Sequence, residues 1–469
     1  MRKPVPALLS MLLLAGCAVG PDYVRPEVAV PERFAQAVPD APAPAPQPAA
    51  EARFWRGFGD PVLTRLVEDA LASNHDLRIA LASYDRADAL LRGARFDRYP
   101  TVTAGATAGT ARASAGEAPG VTRADRDADS YGGDIRAAWE LDLFGRVRRT
   151  VEAQRAERAA AAGDLGAVQV VIVGSVAQGY MELRGLQERL RVAQANAANQ
   201  RETLELVEAR AAAGRDTDFD LARARAQLET TLARVPALEA AVAVTMHRLA
   251  VLTGRAPEAL TVLLERAAPL PALPAPIDAG TPGELLRRRP DVIAAEGRLH
   301  AATARIGIAT ADLFPRFTLA GLIGTQAIDT SALFERDSER RFAALGVDWS
   351  FLDVGRVRAR IAAADADASA ALAGYEQTVL RALEDTENAL VRLAKARVED
   401  RHLESAAHDS ATAARLARLR FEAGAVGLLD VLDAERTRLS AQDAFADART
   451  RSATATVALY RALAGGYGT

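Results

Sequence analysis

The sequence predicts a mainly α-helical chain, built as a duplicated unit, that also carries four strands suited to a membrane β-barrel. Three observations predict it. The chain resembles itself at an offset near 210 residues, two pairs of short segments alternate polar with apolar side chains, and two very long helical stretches carry coiled-coil spacing.

The duplication comes first because it organises the rest. Asn74-His75-Asp76-Leu77 opens a helix that runs to Arg98-Tyr99-Pro100, and Arg289-Pro290-Asp291-Val292 opens another that runs to Leu313-Phe314-Pro315. Trp139 with Gly145-Arg146-Val147-Arg148 matches Trp349 with Gly355-Arg356-Val357-Arg358, and Ala213-Gly214 through Asp220 matches Ala423-Gly424 through Asp430, both at an offset of 210 residues. So long a period means one duplicated domain rather than a solenoid. The copies span 60–260 and 285–469, joined by a linker over 261–284 that carries Pro269, Pro271, Pro274, Pro276 and Pro282.

Each copy holds two strand candidates, at about 101–112 and 130–142 in the first and 316–327 and 342–351 in the second. In the clearest, Asp134, Arg136, Glu140 and Asp142 alternate with Ile135, Ala137, Trp139 and Leu141; Leu345, Val347, Trp349 and Phe351 repeat the pattern. Lengths near ten residues suit tilted membrane strands, although the same alternation also serves a soluble sandwich. Charged loops over 112–130 and 328–341 should face water. Four strands are too few to close a membrane barrel, which needs about eight, so a membrane role requires several chains.

The helices over 146–213 and 356–423 set the scale. From Ile172 through Val176, Gly179, Leu183, Leu186 and Leu190 to Ala211, apolar positions follow a 4-3 spacing interrupted at Gln200, the 3.5-residue repeat of coiled-coil packing. Gly214 and Gly424 end these helices and the chain turns back in each copy, with Pro236 expected to kink the first return helix.

Arg2 and Lys3, an apolar run over 5–14 and Leu14-Ala15-Gly16-Cys17 read as a cleaved export signal over 1–16 that places Cys17 first in the mature chain. The ending resembles the bacterial lipobox, which implies a lipid on Cys17; Ala18 favours outer-membrane sorting. Residues 17–59, rich in Pro and Ala, read as an extended tether. Cys17 is the sole cysteine, so no intrachain disulfide forms. No later run approaches 18 consecutive apolar residues, so a membrane crossing must use strands.

A net charge of −3 and dispersed charges give no footprint for nucleic acid. The five histidines, His75, His247, His300, His402 and His408, lack metal-ligand spacing. Ser175 sits mid-helix without the second glycine of a nucleophile elbow, and no glycine-rich phosphate loop follows a strand. No catalytic constellation, metal site or cofactor is expected beyond the lipid on Cys17.

Five motifs, in order, carry a family resemblance: Gly20-Pro21-Asp22-Tyr23-Val24-Arg25-Pro26; Phe54-Trp55 through Phe58-Gly59-Asp60-Pro61; Trp139-Glu140-Leu141-Asp142-Leu143-Phe144-Gly145-Arg146; Arg288-Arg289-Pro290-Asp291; and Leu459-Tyr460-Arg461-Ala462-Leu463. The chain resembles the TolC-like outer membrane factors, in the lipoprotein branch that serves resistance-nodulation-division efflux pumps. The resemblance implies a homotrimer in the Gram-negative outer membrane: a β-barrel of four strands per chain above a periplasmic α-barrel. It implies a passive duct for drugs and other small molecules, working with a periplasmic adaptor and an inner-membrane pump. Leu429 and Asp433 match the family's apolar and acidic constriction rings, with Asp430 beside them as a further gate residue. Gly214, Arg215, Asp216, Gly424, Ala425, Val426 and Gly427 fall at the tips that an adaptor would contact. Phe421 stands where the family often has tyrosine, and Glu422 where it often has arginine, so a lock using those side chains has no direct counterpart here. Asp430 and Asp433 also read as an ordinary exposed helix face. Two alternatives are a protein-secretion duct of the same fold and a lipid-anchored periplasmic scaffold with no pore.

Overall fold

In a computed structural model, which describes residues 18–35, 53–274 and 279–464, every strand pair follows a helix halted by proline. Helix α1 (Pro61–Ser73) starts at Asp60, whose carboxylate accepts the Val62 and Leu63 N–H groups at 2.8 and 3.0 Å. Asn74 breaks the chain direction and its Oδ1 accepts Leu77 N–H at 3.1 Å, starting α2 (His75–Phe96). Pro100 then disfavours helix for its predecessor, and β1 (Thr101–Arg112) and β2 (Asp127–Leu141) follow. The long α3 (Arg146–Ala212) has 67 residues, about 100 Å of helix. It returns through α4 (Asp218–Leu232) and α5 (Arg234–Leu252), then the short α6 (Thr261–Leu264). The second copy repeats the order: α7 (Pro282–Arg288), α8 (Pro290–Ala311), β3 (Arg316–Ala327), β4 (Glu339–Asp348), α9 (Val354–Glu422) and α10 (Leu428–Ala462).

The duplication extends to single hydrogen bonds. Trp139 Nε1 donates to the Arg98 carbonyl and Trp349 Nε1 to the Leu313 carbonyl, each at 3.0 Å. Each acceptor lies two residues before the proline that ends its helix. Space does not follow the copies, however. One compact unit combines Ser83–Ala162 and Ala294–Glu376 with the described residues up to Glu27. The other combines Val28–Ala82, Gly163–Ile293 and the described residues from Gln377. Each unit takes segments from both copies.

The first unit holds a four-stranded antiparallel sheet in the order β1-β2-β3-β4. Thr101 pairs with Ala138, Tyr131 with Ala327 and Arg316 with Asp348. The register puts Val102, Ile135, Trp139, Leu319, Ile323 and Leu345 on one face, and Thr103, Asp134, Arg136, Glu140 and Thr318 on the other. Two expectations shift. β2 starts at Asp127, ahead of 130, and β4 runs Glu339–Asp348 rather than 342–351. Asp348 lies opposite Arg316, the first residue of β3, so Trp349 and Phe351 have no ladder to join. Glu339, Arg340 and Arg341, assigned to a loop by charge, are strand residues.

In the second unit the core gathers Leu63, Leu66, Val173, Val176, Tyr180, Leu183, Leu249 and Leu264. Phe54, Trp55 and Phe58, expected in an extended tether, form a buried 3-10 turn in this core, and Phe54 stacks on Tyr460 with centroids 4.5 Å apart. The coiled-coil seam of α3 is buried or half-buried throughout, Gln200 included. Windows within Arg146–Ala212 and Asp218–Leu252 are apolar enough to pass a composition test for a membrane span. Val173, Val176, Tyr180 and Leu249, from those two stretches, are spent on this core.

Candidate functional site: an open-edged sheet and the helix tips

Two places in the fold remain incomplete in a single chain. The first is the sheet. Among the described residues β1 and β4 each pair on one side only, so both edges present free backbone N–H and C=O groups. Those groups resist burial in lipid, where each unsatisfied one costs several kcal/mol, whereas the apolar face around Trp139 and Leu319 resists exposure to water. A sheet with this conflict is stable when its edges are closed by further strands.

The chain just after Cys17 is fastened to the same unit. Cys17 itself lies outside the described residues. Val19 N–H donates to the Phe144 carbonyl at 3.1 Å, three residues beyond the end of β2. Arg149, its side chain 4% exposed, donates to the carbonyls of Val19 (3.2 Å) and Gly20 (3.3 Å) and to Asp22 (2.7 Å). Gly20, at φ 88°, lies so close to Gly307 that a Cβ on it would sit 2.4 Å from the Gly307 Cα. Tyr23 stacks on His300 at 4.3 Å and donates its hydroxyl to Glu296 at 3.3 Å. Burial and the Glu296 carboxylate both push the Tyr23 pKa up, so its hydroxyl stays protonated. The Gly20–Pro26 motif is thus a docking strip.

The second place is the pair of helix tips, both in the other unit. Gly214 (φ 71°) and Gly424 (φ 73°) terminate α3 and α9 in the left-handed conformation. The next N–H groups, of Arg215 and Ala425, reach back to the carbonyls of Arg210 and Arg420 at 2.9 and 2.8 Å. Thr217 then caps α4, its hydroxyl accepting Asp220 N–H at 3.3 Å while Asp220 accepts Thr217 N–H at 3.1 Å. The Thr217 hydroxyl, which also donates to the Asp220 carboxylate at 2.7 Å, and the Thr217 N–H together hold Asp220 below the usual carboxylate range. At the second tip Gly427 has no side chain to offer, but its N–H donates to Asp430 at 3.2 Å.

Beneath the tips, Val207, Ala224, Phe421, Leu428, Val431 and Leu432 form a small core, with Val426 packed against it. Arg210 closes that core. Its guanidinium lies over the Phe421 ring at 4.4 Å and forms a two-pronged ion pair with Asp216 at 2.9 and 3.2 Å. Deeper along α10, Glu435 is 3% exposed and accepts from the Thr203 hydroxyl at 3.3 Å, while its second oxygen has no partner. Burial raises its pKa.

The gate residues of the sequence analysis sit together on the first turns of α10. Leu429 is 55% exposed. Asp433 is exposed and ion-paired to Arg436 at 2.6 Å, whereas Asp430 is engaged by the Gly427 N–H. Among the tip residues, Asp216 is held by Arg210, while Arg215 and Ala425 face solvent. Sequence reasoning missed Arg210, Arg436 and Glu435. The i,i+3 spacing of Asp433 and Arg436 was a readable signal; the Arg210–Phe421 contact joins positions far apart in sequence and had none. Among the described residues, no three His, Cys, Asp or Glu side chains converge as a metal site.

A duplicated chain giving an amphipathic, open-edged sheet and two long helical hairpins is one protomer of a TolC-like outer-membrane channel. Residues 66–255 and 281–465 match the family described as outer membrane efflux protein, and the chain belongs to that family. It is 33% identical to outer membrane protein OprJ of Pseudomonas aeruginosa, over 100% of this chain and 97% of OprJ. It is 30% identical to nodulation protein T of Rhizobium leguminosarum bv. trifolii, over 97% of this chain and 96% of the relative. The solved outer-membrane channel OprN superimposes with a TM-score of 0.89 at 41% identity, covering 96% of this chain and 99% of OprN. The open state of the Neisseria gonorrhoeae MtrE outer membrane channel does so at 0.83 and 28%, covering 96% and 98%. The protein therefore acts in efflux at the outer membrane.

Proposed function

We propose that three copies of this chain close the sheet into one barrel and serve as the passive exit duct of a tripartite pump. A periplasmic adaptor and an inner-membrane resistance-nodulation-division transporter supply substrate and energy, and the duct itself performs no chemistry. The observation that carries this reading is the sheet with two free edges and one apolar face. Three sets of four strands make a barrel of twelve, within the known range for outer-membrane barrels. A lipid on Cys17 anchors the chain, and the docking strip held by Arg149 keeps that anchor close to the end of β2.

In this reading Leu429 and Asp433 line the narrow end of the duct, and the paired tips around Gly214–Asp216 and Gly424–Gly427 meet the adaptor. Leu429 supports the role by being half-exposed at the start of a helix whose other leucines, Leu428, Leu432, Leu439 and Leu459, are buried. A scaffold without a pore gives no reason for an amphipathic sheet with open edges. Reconstitution in a planar bilayer tests the proposal: detergent-extracted protein should insert and pass ions in discrete steps. Failure of well-folded, trimeric protein to conduct would refute it.

A further inference from the structure

One row of the sheet departs from the polarity of its face. The register aligns Thr103, Arg136, Leu322 and Phe342 across all four strands, on the face that otherwise carries Asp134, Glu140 and Thr318. Leu322 and Phe342 lie directly opposite each other, so their Cβ atoms are about 5 Å apart. The row on one side is small, Ala138, Ala320 and Ala344, while on the other Gly105 and Gly324 alternate with Asp134 and Arg340. Phe342 is 56% exposed. The half-buried Leu322 and the exposed Phe342 form an apolar pair that disagrees in polarity with a water-facing wall.

The charges beside it are unequal. Arg136 is neutralised by Asp134 at 2.6 Å. Arg340, two residues along β4 from Phe342 and on the same face, about 7 Å away, hydrogen-bonds the neutral amide oxygen of Gln326 and forms no ion pair among the described residues. The patch therefore offers an aromatic and an aliphatic surface next to that guanidinium.

We propose that this patch is a binding shelf on the inner wall of the barrel for aromatic anions, the ring lying on Leu322 and Phe342 and the carboxylate or sulfonate facing Arg340. The inference rests on the trimeric-channel reading, which makes the polar face the lumen. Its occupant is set by complementarity: a cation beside apolar surface favours an anionic amphiphile over a cationic one. Such a shelf would hold substrate briefly in the exit rather than let it return down the duct.

The test uses the full trimer in a planar bilayer, with 2-naphthoate and 2-naphthylmethylammonium as probes of opposite charge. Naphthoate should reduce the current at millimolar concentration. Phe342→Ala and Arg340→Gln should each raise the half-blocking concentration about tenfold, with unblocked conductance near normal; Phe342→Leu, the milder packing change, should raise it about threefold. The ammonium probe should block no better in the native trimer than in Arg340→Gln. Unchanged block in Phe342→Leu and Arg340→Gln, or stronger block by the cation than by the anion, would overturn the shelf. A native trimer that passes no current overturns the channel reading itself, a distinct result.

Discussion

Leu429 and Asp433 stand one helical turn apart on α10, and their surroundings separate their roles. Leu429 contributes apolar bulk to a surface exposed in one chain, and in the proposed duct three copies of it would narrow the passage by volume. Leu429→Ala should raise single-channel conductance and sensitivity to large antibiotics such as vancomycin; unchanged conductance in an intact trimer would place the constriction elsewhere. In the same proposal Asp433 acts by charge, part of which Arg436 at 2.6 Å already offsets. Asp433→Asn should lower cation preference in reversal-potential measurements and affect antibiotic entry less. Glu435 carries a pH dependence. Burial disfavours its ionised form, so the folded chain holds this proton more tightly than the unfolded one. Stability is then lost as pH rises from the ordinary glutamate value of 4.5 through the raised folded one. Glu435→Gln keeps an acceptor for Thr203 and removes that loss. Its melting temperature should exceed the parent's at neutral pH, and the difference should vanish well below the glutamate range.

At the scale of elements, the Arg210–Phe421 contact joins the end of α3 to the end of α9 without the tyrosine hydroxyl often found there. Phe421 is 2% exposed, so Phe421→Ala should cost about 3–5 kcal/mol locally and free Arg210 from its stacked position. Hydrogen exchange should quicken at the ends of α3 and α9 while the β-sheet keeps its protection; a sheet equally affected would mean global unfolding rather than a loosened tip. The elements themselves were largely legible, because long coiled-coil spacing, glycine at helix ends and strict alternation are local signals. Pro236 shows the limit of local reading. The hydrogen-bond ladder is interrupted at Ala233, between α4 and α5, because proline cannot donate to the carbonyl of Leu232, while Ala233 itself keeps helical dihedrals (φ −61°, ψ −20°). At the matching position Ala446 keeps α10 continuous. β4 slid by three residues because its ends are set by pairing with β3, which no local pattern contains. Trp139 and Trp349 were legible as repeats, but their shared bond to a helix-end carbonyl was not.

For the whole molecule, the sheet shared by the two copies explains why duplication did not yield two separable domains. β1 and β2 come from the first copy and β3 and β4 from the second, and the β2–β3 pairing fuses them into one sheet. With Cys17 lipidated as proposed, the anchor and the barrel are separate attachments to the same membrane. Cys17→Ser should abolish labelling by a palmitate analogue, and persistent labelling would rule out lipidation at that residue. Channel assembly should survive the change, because the strands still carry their apolar face.

The number of chains follows from closure. One sheet of four strands leaves the edges of β1 and β4 free, and two copies give eight strands, the narrowest barrel known to span an outer membrane. The interior of an eight-stranded barrel is filled by side chains, whereas this sheet turns Thr103, Gly105, Thr107, Gly109 and Gly132 inward on its polar face, residues too small to fill it. Three copies give a wider barrel whose lumen holds water, which suits that polar, small-residue wall. Native mass measurement of the detergent-extracted complex should therefore give three chains, and that species alone should conduct. A conducting dimer would show that the small residues pack in a narrow barrel after all. A conducting monomer would require β1 to pair with β4 of its own chain, closing four strands on themselves at a curvature that no strand twist allows.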